Sequence, residues 1–213
     1  MTIFWLGQGA FKIIDKEVII AIDPYDKIGI KMSRFQADIL LITHDHADHN
    51  FREAIKGEPF IIDSQGEYEV KNVFVYGLPA FHDNKQGAER GKITIYIIEL
   101  EGMKIAHLGD LGQESLTEEQ LEELEGVDIL LIPVGGTYTI DGAEAVKIIN
   151  QIQPRIVIPM HYKIPGLTES KLESVEKFLK EFGVAKVEKA DKLKISKKDL
   201  PQEETRVIVL DKS

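Results

Sequence analysis

The chain has 213 residues, 43% of them hydrophobic, and its 36 acidic against 26 basic residues give a formal net charge of −10. This composition is typical of a globular protein with a sizeable core and excludes a disordered chain, while the excess of acid disfavours nucleic acid as a partner because polyanion binding relies on Lys and Arg. The sequence contains no cysteine, which excludes disulfides and thiolate ligands, so any metal ion must be held by His, Asp or Glu.

The first half of the chain predicts mainly short strands. Residues 2–22 contain apolar segments interrupted at 7–9 and 15–17, a pattern typical of antiparallel strands joined by tight turns. The almost uniformly apolar run 38–43 predicts a strand covered on both faces, and a polar, His-rich window follows it. After a short predicted helix over about 48–56, further strands are predicted at 60–63, 73–78, 93–100 and 104–108, the last two joined as a hairpin.

The second half alternates helices with strands, as βα units do. Its predicted helices cover 116–124, 143–153 and 168–182, and its predicted strands cover 128–134, 155–160, 192–195 and 206–210. No Ser/Gly-rich linker separates the two halves, so we expect a single α/β (α+β) domain over residues 1–213, with two central sheets and helices outside them.

Three of the six histidines lie in one six-residue window, as His44, His46 and His49, together with Asp48. The window begins where the predicted strand 38–43 ends, and strand alternation puts His44 and His46 on one side, so both can converge on one ion. Asp48 and His49, at the start of the next element, can reach a neighbouring ion. Imidazole and carboxylate are ligands of Zn²⁺ and of other divalent ions, so this spacing favours a metal site over a solvent-facing loop.

Three residues far from this window also follow strand-like runs, namely His82, Asp110 and His161. Read alone, a single histidine of this kind would more often be structural than a ligand. The shared position at strand ends favours one common site for all of them.

These residues, in this order, resemble the motifs of the metallo-β-lactamase superfamily. The matching segments are His44-x-His46-x-Asp48-His49, then His82, Gly109-Asp110, Met160-His161-Tyr162 and, as an early strand-ending aspartate, Ile22-Asp23-Pro24. The resemblance spans nearly the whole chain and is nearest to the small, single-domain intracellular metal-dependent hydrolases, and more loosely to the ascorbate-phosphate lactonase branch. It implies a four-layer αββα sandwich with metal ions between the upper edges of the two sheets.

The resemblance also implies a ligand set. One ion would take His44, His46 and His82, the other would take Asp48, His49 and His161, and Asp110 would bridge both. Asp23 would orient ligands without coordinating, and His107, which matches no ligand motif, is interpreted as structural. Two divalent ions per chain are expected, with Zn²⁺ first and Mn²⁺ or Fe²⁺ also compatible.

The chain departs from several branches of the superfamily. Oxygen-reducing diiron members usually carry Glu where His46 stands and a fused flavodoxin-like domain, for which this chain has no room. Secreted β-lactamases carry a signal peptide and often a Cys ligand, and RNA-processing nucleases carry large insertions. These branches are therefore disfavoured.

The function predicted from this site is a dinuclear metal-dependent hydrolase, in which a metal-bound hydroxide attacks a small anionic ester, either a phosphodiester or a lactone. Asp48 and Asp110 are the predicted catalytic carboxylates, with Asp48 orienting the water and moving its proton. One alternative is a metal-binding scaffold or sensor without catalysis. Another is a nuclease, which would need a basic groove.

Loops beside the ligands supply candidate substrate contacts, namely Arg90, Tyr138, Thr139, Tyr162 and Lys163. The loop 83–92 also holds Lys85 and Lys92, a local basic cluster that suggests an anionic substrate, although ordinary loop charges would give the same pattern. The amides of the loop 135–139 could meet an anion at the start of the next helix, or its glycines could only permit the turn.

The longest apolar runs, 39–42 and 129–134, are far shorter than the about 20 residues that a membrane-spanning helix needs. The first residues lack the basic segment of a secretory signal, and together with the lack of cysteine this favours a cytoplasmic location without a membrane partner. The sequence leaves the oligomeric state open.

Overall fold

A computed structural model describes residues 1–168, 171–184 and 187–213. Its strands are β1 (Thr2–Gly7), β2 (Ala10–Ile14), β3 (Ile19–Ile22), β4 (Phe35–Gln36), β5 (Ile39–Leu41), β6 (Ile55–Lys56), β7 (Phe60–Ile62), β8 (Gly66–Val70), β9 (Val73–Phe81), β10 (Lys92–Leu100), β11 (Met103–His107), β12 (Ile129–Pro133), β13 (Ile156–Met160), β14 (Glu188–Ala190), β15 (Leu193–Lys194) and β16 (Arg206–Leu210). Its α-helices are α1 (Glu118–Glu123), α2 (Gly142–Ile152) and α3 (Val175–Phe182), and short 3-10 turns lie at Arg52–Ala54 and Lys197–Asp199.

The strands form two large sheets and one small one. The six-stranded sheet has the order β15-β1-β2-β3-β5-β7, the eight-stranded sheet has the order β14-β16-β13-β12-β11-β10-β9-β8, and β4 pairs with β6. The mixed α/β architecture with two central sheets is the predicted one.

The six-stranded sheet buries both of its faces, because side chains alternate along each strand. Ile20 and Ile22 of β3 join the main core, while Ala21 of the same strand joins a second apolar cluster on the opposite face. In β5, Ile39 and Leu41 face the main core and Leu40 faces the second cluster. The uniformly apolar run of β5 therefore reflects burial on both sides, as the sequence predicted.

Different elements pack against the two sheets. The crossover from β12 to the parallel strand β13 runs through α2, and α2 packs against α3. By contrast, the second apolar cluster is closed by Met32, Phe35, Phe51 and Ala54, which belong to loops, β4 and a 3-10 turn. Within the described residues, this side of the six-stranded sheet carries no α-helix.

The predicted helix over 48–56 is wrong. Residues 46–50 form a turn, in which the amides of His49 and Asn50 both donate to the carbonyl of His46. The chain then bonds to other parts of the fold, because Phe51 N–H donates to Pro24 O and the strand β6 pairs with β4. These tertiary hydrogen bonds replace the ladder that a helix would need.

The predicted helix over 168–182 begins only at Val175, and residues 169 and 170 of that prediction lie outside the described residues. Glu173 explains the late start, because its N–H donates to Gly135 O and its carbonyl accepts from Lys163 N–H. The strands β4, β6, β8 and β14 were not predicted. The β10–β11 hairpin, the strands β12, β13 and β16, and the helix α2 are confirmed.

The topology gathers several strand ends at one edge. In the eight-stranded sheet β9 and β11 are each antiparallel to β10, and β11, β12 and β13 are parallel, so β9, β11 and β13 point the same way. Their carboxyl ends therefore meet at one edge. Among the described residues, no helix is both long enough and apolar enough to cross a bilayer.

Candidate metal centre

Seven side chains converge at this edge in two groups. The histidine triad consists of His44, His46 and His82, and the mixed tetrad consists of Asp48, His49, Asp110 and His161. Within each group the potential ligand atoms all lie within 4.8 Å of one another. The structure thus brings together every residue that the resemblance assigned to a metal ion, with Asp110 in the same group as Asp48, His49 and His161.

Asp110 lies where the two groups meet. Its Oδ2 is 3.4 Å from Nε2 of His82 in the triad, and 3.2 Å from Nε2 of both His49 and His161 in the tetrad. The Gly109-Asp110 turn that carries it follows β11 directly, and Gly109 adopts a φ of 54°, which glycine tolerates without a steric penalty. One carboxylate is therefore shared by both groups.

Asp23 is fully buried beneath the cluster and accepts three hydrogen bonds from two residues, Thr43 and His49. Its Oδ1 accepts from Thr43 N–H at 2.8 Å, and its Oδ2 lies 2.6 Å from Thr43 Oγ1 and 2.9 Å from His49 Nδ1. The hydroxyl proton of Thr43 goes to Asp23, so that oxygen accepts from His44 Nδ1–H at 2.9 Å. Asp23 thereby turns Nε2 of both His44 and His49 toward the cluster, the orienting role that the resemblance implied.

The electrostatics of the cluster suit cation binding. Burial lowers the pKa of His44 to about 3, which keeps its imidazole neutral and its Nε2 lone pair available. Burial raises the pKa of Asp110, but His161 and His49 outweigh it and hold that pKa well below the usual range. Burial lowers the pKa of His49, but the carboxylates of Asp110, Asp23 and Asp48 together raise it well above the usual range.

The residues present fit a divalent metal ion. Three buried atoms of the tetrad, His49 Nε2, His161 Nδ1 and Asp110 Oδ1, lack a hydrogen-bond partner among the described residues. Buried polar atoms are nearly always paired, so these atoms require other partners. The donor set of imidazole nitrogens and carboxylate oxygens suits Zn²⁺, Mn²⁺ or Fe²⁺.

Backbone close to the cluster adopts uncommon conformations. Gln8, Asp23 and His161 have φ of 52°, 46° and 52°, in the left-handed region that non-glycine residues rarely occupy. Gly135 is needed for another reason, since a Cβ there would lie 2.0 Å from His161 O. Strained and close-packed backbone of this kind concentrates at functional sites, where the surrounding structure enforces it.

His107 is buried close to the ligands but has its own partners. Its Nδ1 accepts from Gly109 N–H at 3.0 Å and its Nε2 lies 2.8 Å from Gly9 O, to which it donates. Burial lowers the pKa of His107, so it is neutral with both ring nitrogens satisfied. It ties the turn before Asp110 to the β1–β2 turn, in accord with the structural role interpreted from the sequence.

The cluster opens into a cavity of about 540 Å³, whose rim includes Arg90, Tyr138 and Lys27. The Arg90 guanidinium lies 5.3 Å from the centroid of the Tyr138 ring, a cation–π contact. Two of the predicted substrate contacts, Arg90 and Tyr138, therefore border the metal centre.

Asp83, directly after His82, fixes the loop that carries Arg90. Its carboxylate accepts four backbone N–H bonds of 2.7 to 2.9 Å, from Lys85, Gly87, Glu89 and Arg90. Burial raises the pKa of Asp83, but these bonds outweigh it and lower the pKa to about 2. The loop is thereby held in one conformation at the edge of the cavity.

Other predicted contacts lie elsewhere. Tyr162 and Lys163 border a separate cavity of about 330 Å³, and the Tyr162 ring packs against Trp5 with centroids 4.8 Å apart. Thr139 is buried and its hydroxyl donates to Ile140 O at 3.1 Å. The structure does not bring Tyr162 and Lys163 to the cavity of the metal centre, whereas Thr139 borders a smaller cavity of about 160 Å³ together with His82 and Arg90.

The basic cluster of the loop 83–92 is also dispersed. Lys85 forms an ion pair with Glu89, and Lys92 borders a different cavity, beside Asp45 and Asp63. Arg90 is the member of this cluster that reaches the metal centre.

The loop 135–139 uses its amides internally. Gly136 N–H donates to Ile140 O, and Tyr138 and Thr139 N–H donate to Gly136 O. The start of α2 is also capped, because the Asp141 carboxylate accepts from Ala143 and Glu144 N–H. Of the two interpretations of this loop, the structure favours glycines that permit the turn.

Three polar residues of the site were not predicted, namely Gln8, Thr43 and Asp83. Thr43 and Asp83 each adjoin a ligand in the sequence, so a polar residue next to His44 or His82 could have been tested as an orienting group. Gln8 lies between two glycines in a turn, and nothing in the local pattern connects it to residues 40 or 153 positions away.

Comparisons with known proteins agree with this geometry. Residues 2–161 match the family model described as the beta-lactamase superfamily domain. A UPF0173 metal-dependent hydrolase of Thermococcus onnurineus is 33% identical over 189 residues, which cover 74% of this chain and 83% of that protein. A UPF0173 metal-dependent hydrolase of Archaeoglobus fulgidus is 28% identical over 217 residues, which cover 86% of this chain and 93% of that protein.

A solved structure is similar over its whole length. It is a candidate Zn-dependent hydrolase of the metallo-β-lactamase superfamily from Thermotoga maritima, with 34% identity and a TM-score of 0.81. The match covers 98% of this chain and 97% of that protein.

Proposed function

This chain belongs to the β-lactamase superfamily and is a metal-dependent hydrolase, and we propose that it uses two divalent ions to cleave a small anionic ester, either a phosphodiester or a lactone. The histidine triad would hold one ion and the mixed tetrad the other. Zn²⁺ is the first candidate for both, and Mn²⁺ or Fe²⁺ suit the same ligands.

The position of Asp110 carries the proposal of two ions. Its Oδ2 lies within 3.4 Å of imidazole nitrogens from both groups. A carboxylate shared in this way can hold two cations a few ångströms apart. A single ion would occupy either the triad or the tetrad and leave the other set of ligands without an ion. Such an ion pair would supply Lewis acidity and a lowered pKa for the attacking water.

Asp48 is placed to act on that water. It borders the cavity and is only partly buried, unlike the other three members of the tetrad. Burial raises the pKa of Asp48, but the neighbouring His49 outweighs it and lowers that pKa, so the side chain is a carboxylate that can orient a water and accept its proton.

Arg90 supports an anionic substrate. Its guanidinium faces the cavity from a loop that Asp83 fixes, so it is pre-organised for a carboxylate or phosphate group. The acidic neighbour Glu89 is paired with Lys85, which reduces its competition for Arg90. Tyr138 stacks on the guanidinium and limits where it can lie.

The test is hydrolysis by the metal-loaded protein of a chromogenic phosphodiester and of a lactone that carries a carboxylate. Wild type is compared with Asp110→Asn and with Asp45→Asn, which changes an exposed carboxylate between His44 and His46 that contacts Asn50 rather than the cluster. We expect turnover of one ester, a loss of at least about a hundredfold in Asp110→Asn, and near wild-type rates in the control.

Other outcomes would contradict the proposal. If metal-loaded wild type cleaves neither ester yet binds a protein partner tightly, the scaffold or sensor alternative replaces it. If single-stranded RNA is bound at low salt and cleaved, the nuclease alternative replaces it. Equal rates in wild type and Asp110→Asn would remove the two-ion site from the reaction.

The role of Arg90 is tested separately by its KM effect. Arg90→Ala should raise KM for the anionic ester about tenfold, the loss of one charge-assisted hydrogen bond, and leave kcat nearly unchanged. Lys92→Ala, a cation two residues further that borders another cavity, is the matched control. An equal KM in wild type and Arg90→Ala would refute the anion contact.

A further inference from the structure

Gln8 reaches into the mixed tetrad although it belongs to no ligand motif. Its side-chain Nε2 lies 2.7 Å from His161 Nε2 and 3.5 Å from Asp48 Oδ2. The residue is only 2% exposed, and it borders the same 540 Å³ cavity as the tetrad. The end of this amide therefore occupies the space between two of the four proposed ligands.

The backbone holds Gln8 in this place against its local preference. Its φ is 52°, and its carbonyl accepts from the Trp5 indole N–H at 2.9 Å and from His161 N–H at 3.1 Å. The following Gly9 lets the turn approach the tetrad, since a Cβ there would lie 2.9 Å from His49 Cε1. The fold thus enforces a strained conformation that directs this side chain at the ligands.

The amide oxygen is the unusual atom. Gln8 Oε1 is buried and has no hydrogen-bond partner within the described residues. A buried carbonyl without a partner lowers the stability of the fold, so its retention needs another explanation. The two terminal atoms of an amide have nearly the same shape, and rotation about the Cγ–Cδ bond exchanges them.

The chemistry of the tetrad decides which atom belongs there. To hold a cation, His161 Nε2 and Asp48 Oδ2 must both direct lone pairs at it. An N–H of Gln8 in the same place would direct a proton at the cation, whereas the oxygen would direct another lone pair. Amide oxygens suit Mn²⁺ and similar hard ions better than they suit Zn²⁺, which prefers four ligands in a closed site.

We propose that the amide oxygen of Gln8 is a fifth protein ligand of the ion held by the mixed tetrad, and that it favours Mn²⁺ or Fe²⁺ over Zn²⁺ at this position. The proposal rests on the metal assignment proposed above. It gives the two positions different donor sets, three imidazoles in one and a mixture of imidazole, carboxylate and amide in the other.

The experiment measures metal binding rather than turnover. The metal-free full chain is titrated with Mn²⁺ and, against a competing chelator, with Zn²⁺, as wild type, Gln8→Leu and Gln86→Leu. Gln86 is the matched control, because it is an exposed glutamine whose φ of 57° imposes the same left-handed backbone on leucine. Circular dichroism checks that each variant is folded.

We expect Gln8→Leu to weaken Mn²⁺ binding at one of two positions about tenfold and Zn²⁺ binding by less than about threefold, with no change in Gln86→Leu. In the Co²⁺-loaded protein, the visible bands should gain intensity in Gln8→Leu, since bands strengthen when the coordination number falls. Unchanged Mn²⁺ affinity together with an unchanged Co²⁺ spectrum would overturn the proposal.

If Gln8→Leu does not fold, a second substitution at the same position tests whether an oxygen donor of residue 8 binds the ion. Gln8→Glu retains an oxygen donor and should bind Mn²⁺ at least as tightly as wild type, and weaker binding would overturn the proposal. If Gln8→Leu loses ester hydrolysis but keeps its Mn²⁺ affinity and Co²⁺ spectrum, the amide acts on substrate, so the ligand proposal fails while the hydrolase stands. A wild type that binds no ion overturns both.

Discussion

The histidine triad and the mixed tetrad lie side by side, yet the fold supports them very differently. In the tetrad, His49, Asp110 and His161 are buried and only Asp48 is partly exposed, whereas His46 of the triad is exposed to solvent. The tetrad also contains both carboxylates of the ligand set. Its position is therefore the more negative and the better enclosed of the two.

The supporting hydrogen bonds follow the same division. On the tetrad side, Asp23 binds His49 directly. On the triad side, the same carboxylate reaches His44 only through the Thr43 hydroxyl. We expect the tetrad to bind its ion first and more tightly, and the triad to exchange its ion more readily at the open side where substrate enters.

The largest expected difference between the two groups concerns folding. His49→Ala leaves the buried carboxylates of Asp23 and Asp110 without this partner, so it should lower the free energy of unfolding of the metal-free protein by about 3–5 kcal/mol. His46→Ala removes an exposed ring and should change that free energy by less than about 0.5 kcal/mol. Urea denaturation in the presence of a chelator measures both.

The same pair of variants tests the order of loading. His46→Ala should still retain one ion per chain, and His49→Ala should weaken the binding of both because it disturbs the position that shares Asp110. If the two variants lose equal stability and equal amounts of metal, the distinction between the groups is wrong.

The next effect comes from the carboxylate under the cluster. Asp23→Ala removes the acceptor of His49 Nδ1 and of Thr43, and the loss of such an orienting partner typically costs 10–100-fold in metal affinity, so we expect about that loss at the tetrad. Competition with a chromophoric chelator measures it. Asp63→Ala is the control, since Asp63 also follows a strand of the six-stranded sheet but pairs with Arg52 at the surface. Wild-type affinity in Asp23→Ala would show that its hydrogen bonds do not orient the ligands.

A smaller effect is expected for the hydrogen bonds that connect Asp23, through the Thr43 hydroxyl, to His44 of the triad. Thr43→Val keeps the shape of the side chain but removes the hydroxyl between Asp23 and His44, and we expect the second ion to bind about tenfold more weakly. Thr43→Ser retains the hydroxyl and should restore most of the affinity. If valine and serine behave alike, the contact of the hydroxyl with His44 has no part in metal binding.

The ligand positions were predictable because they follow strands, and the resemblance to the metallo-β-lactamase motifs then implied how they divide between two ions. The window 44–49 joins the strand β5, and His82, Asp110 and His161 follow strands that the sheet topology directs to one edge. Type and spacing are local properties of the sequence. They are sufficient when the chemistry needs particular side chains at strand ends.

The features of the fold and of the site that were not predicted depend on contacts between segments distant in the sequence. The turn at 46–50 is not a helix because Phe51 bonds to Pro24, and α3 starts late because Glu173 bonds to Gly135 and Lys163. Gln8 joins the tetrad through a fold in which residues 153 positions apart in the chain become neighbours. Tyr162 shows the reverse case, since it adjoins a ligand in the sequence but packs against Trp5, away from the cavity.

The smallest expected effect concerns the loop that follows His82, in which an exposed ion pair is compared with a buried carboxylate. Lys85→Ala removes an exposed ion pair with Glu89, and such solvent-screened pairs contribute little, so we expect no measurable change in the unfolding free energy and an unchanged KM. Asp83→Ala, by contrast, removes the acceptor of four backbone N–H bonds and should raise KM by releasing Arg90 from its place at the cavity. Thermal melting and steady-state kinetics on the same ester compare the two variants. A KM that rises equally in both would mean that the surface ion pair, rather than the buried carboxylate, holds Arg90 beside the metal centre.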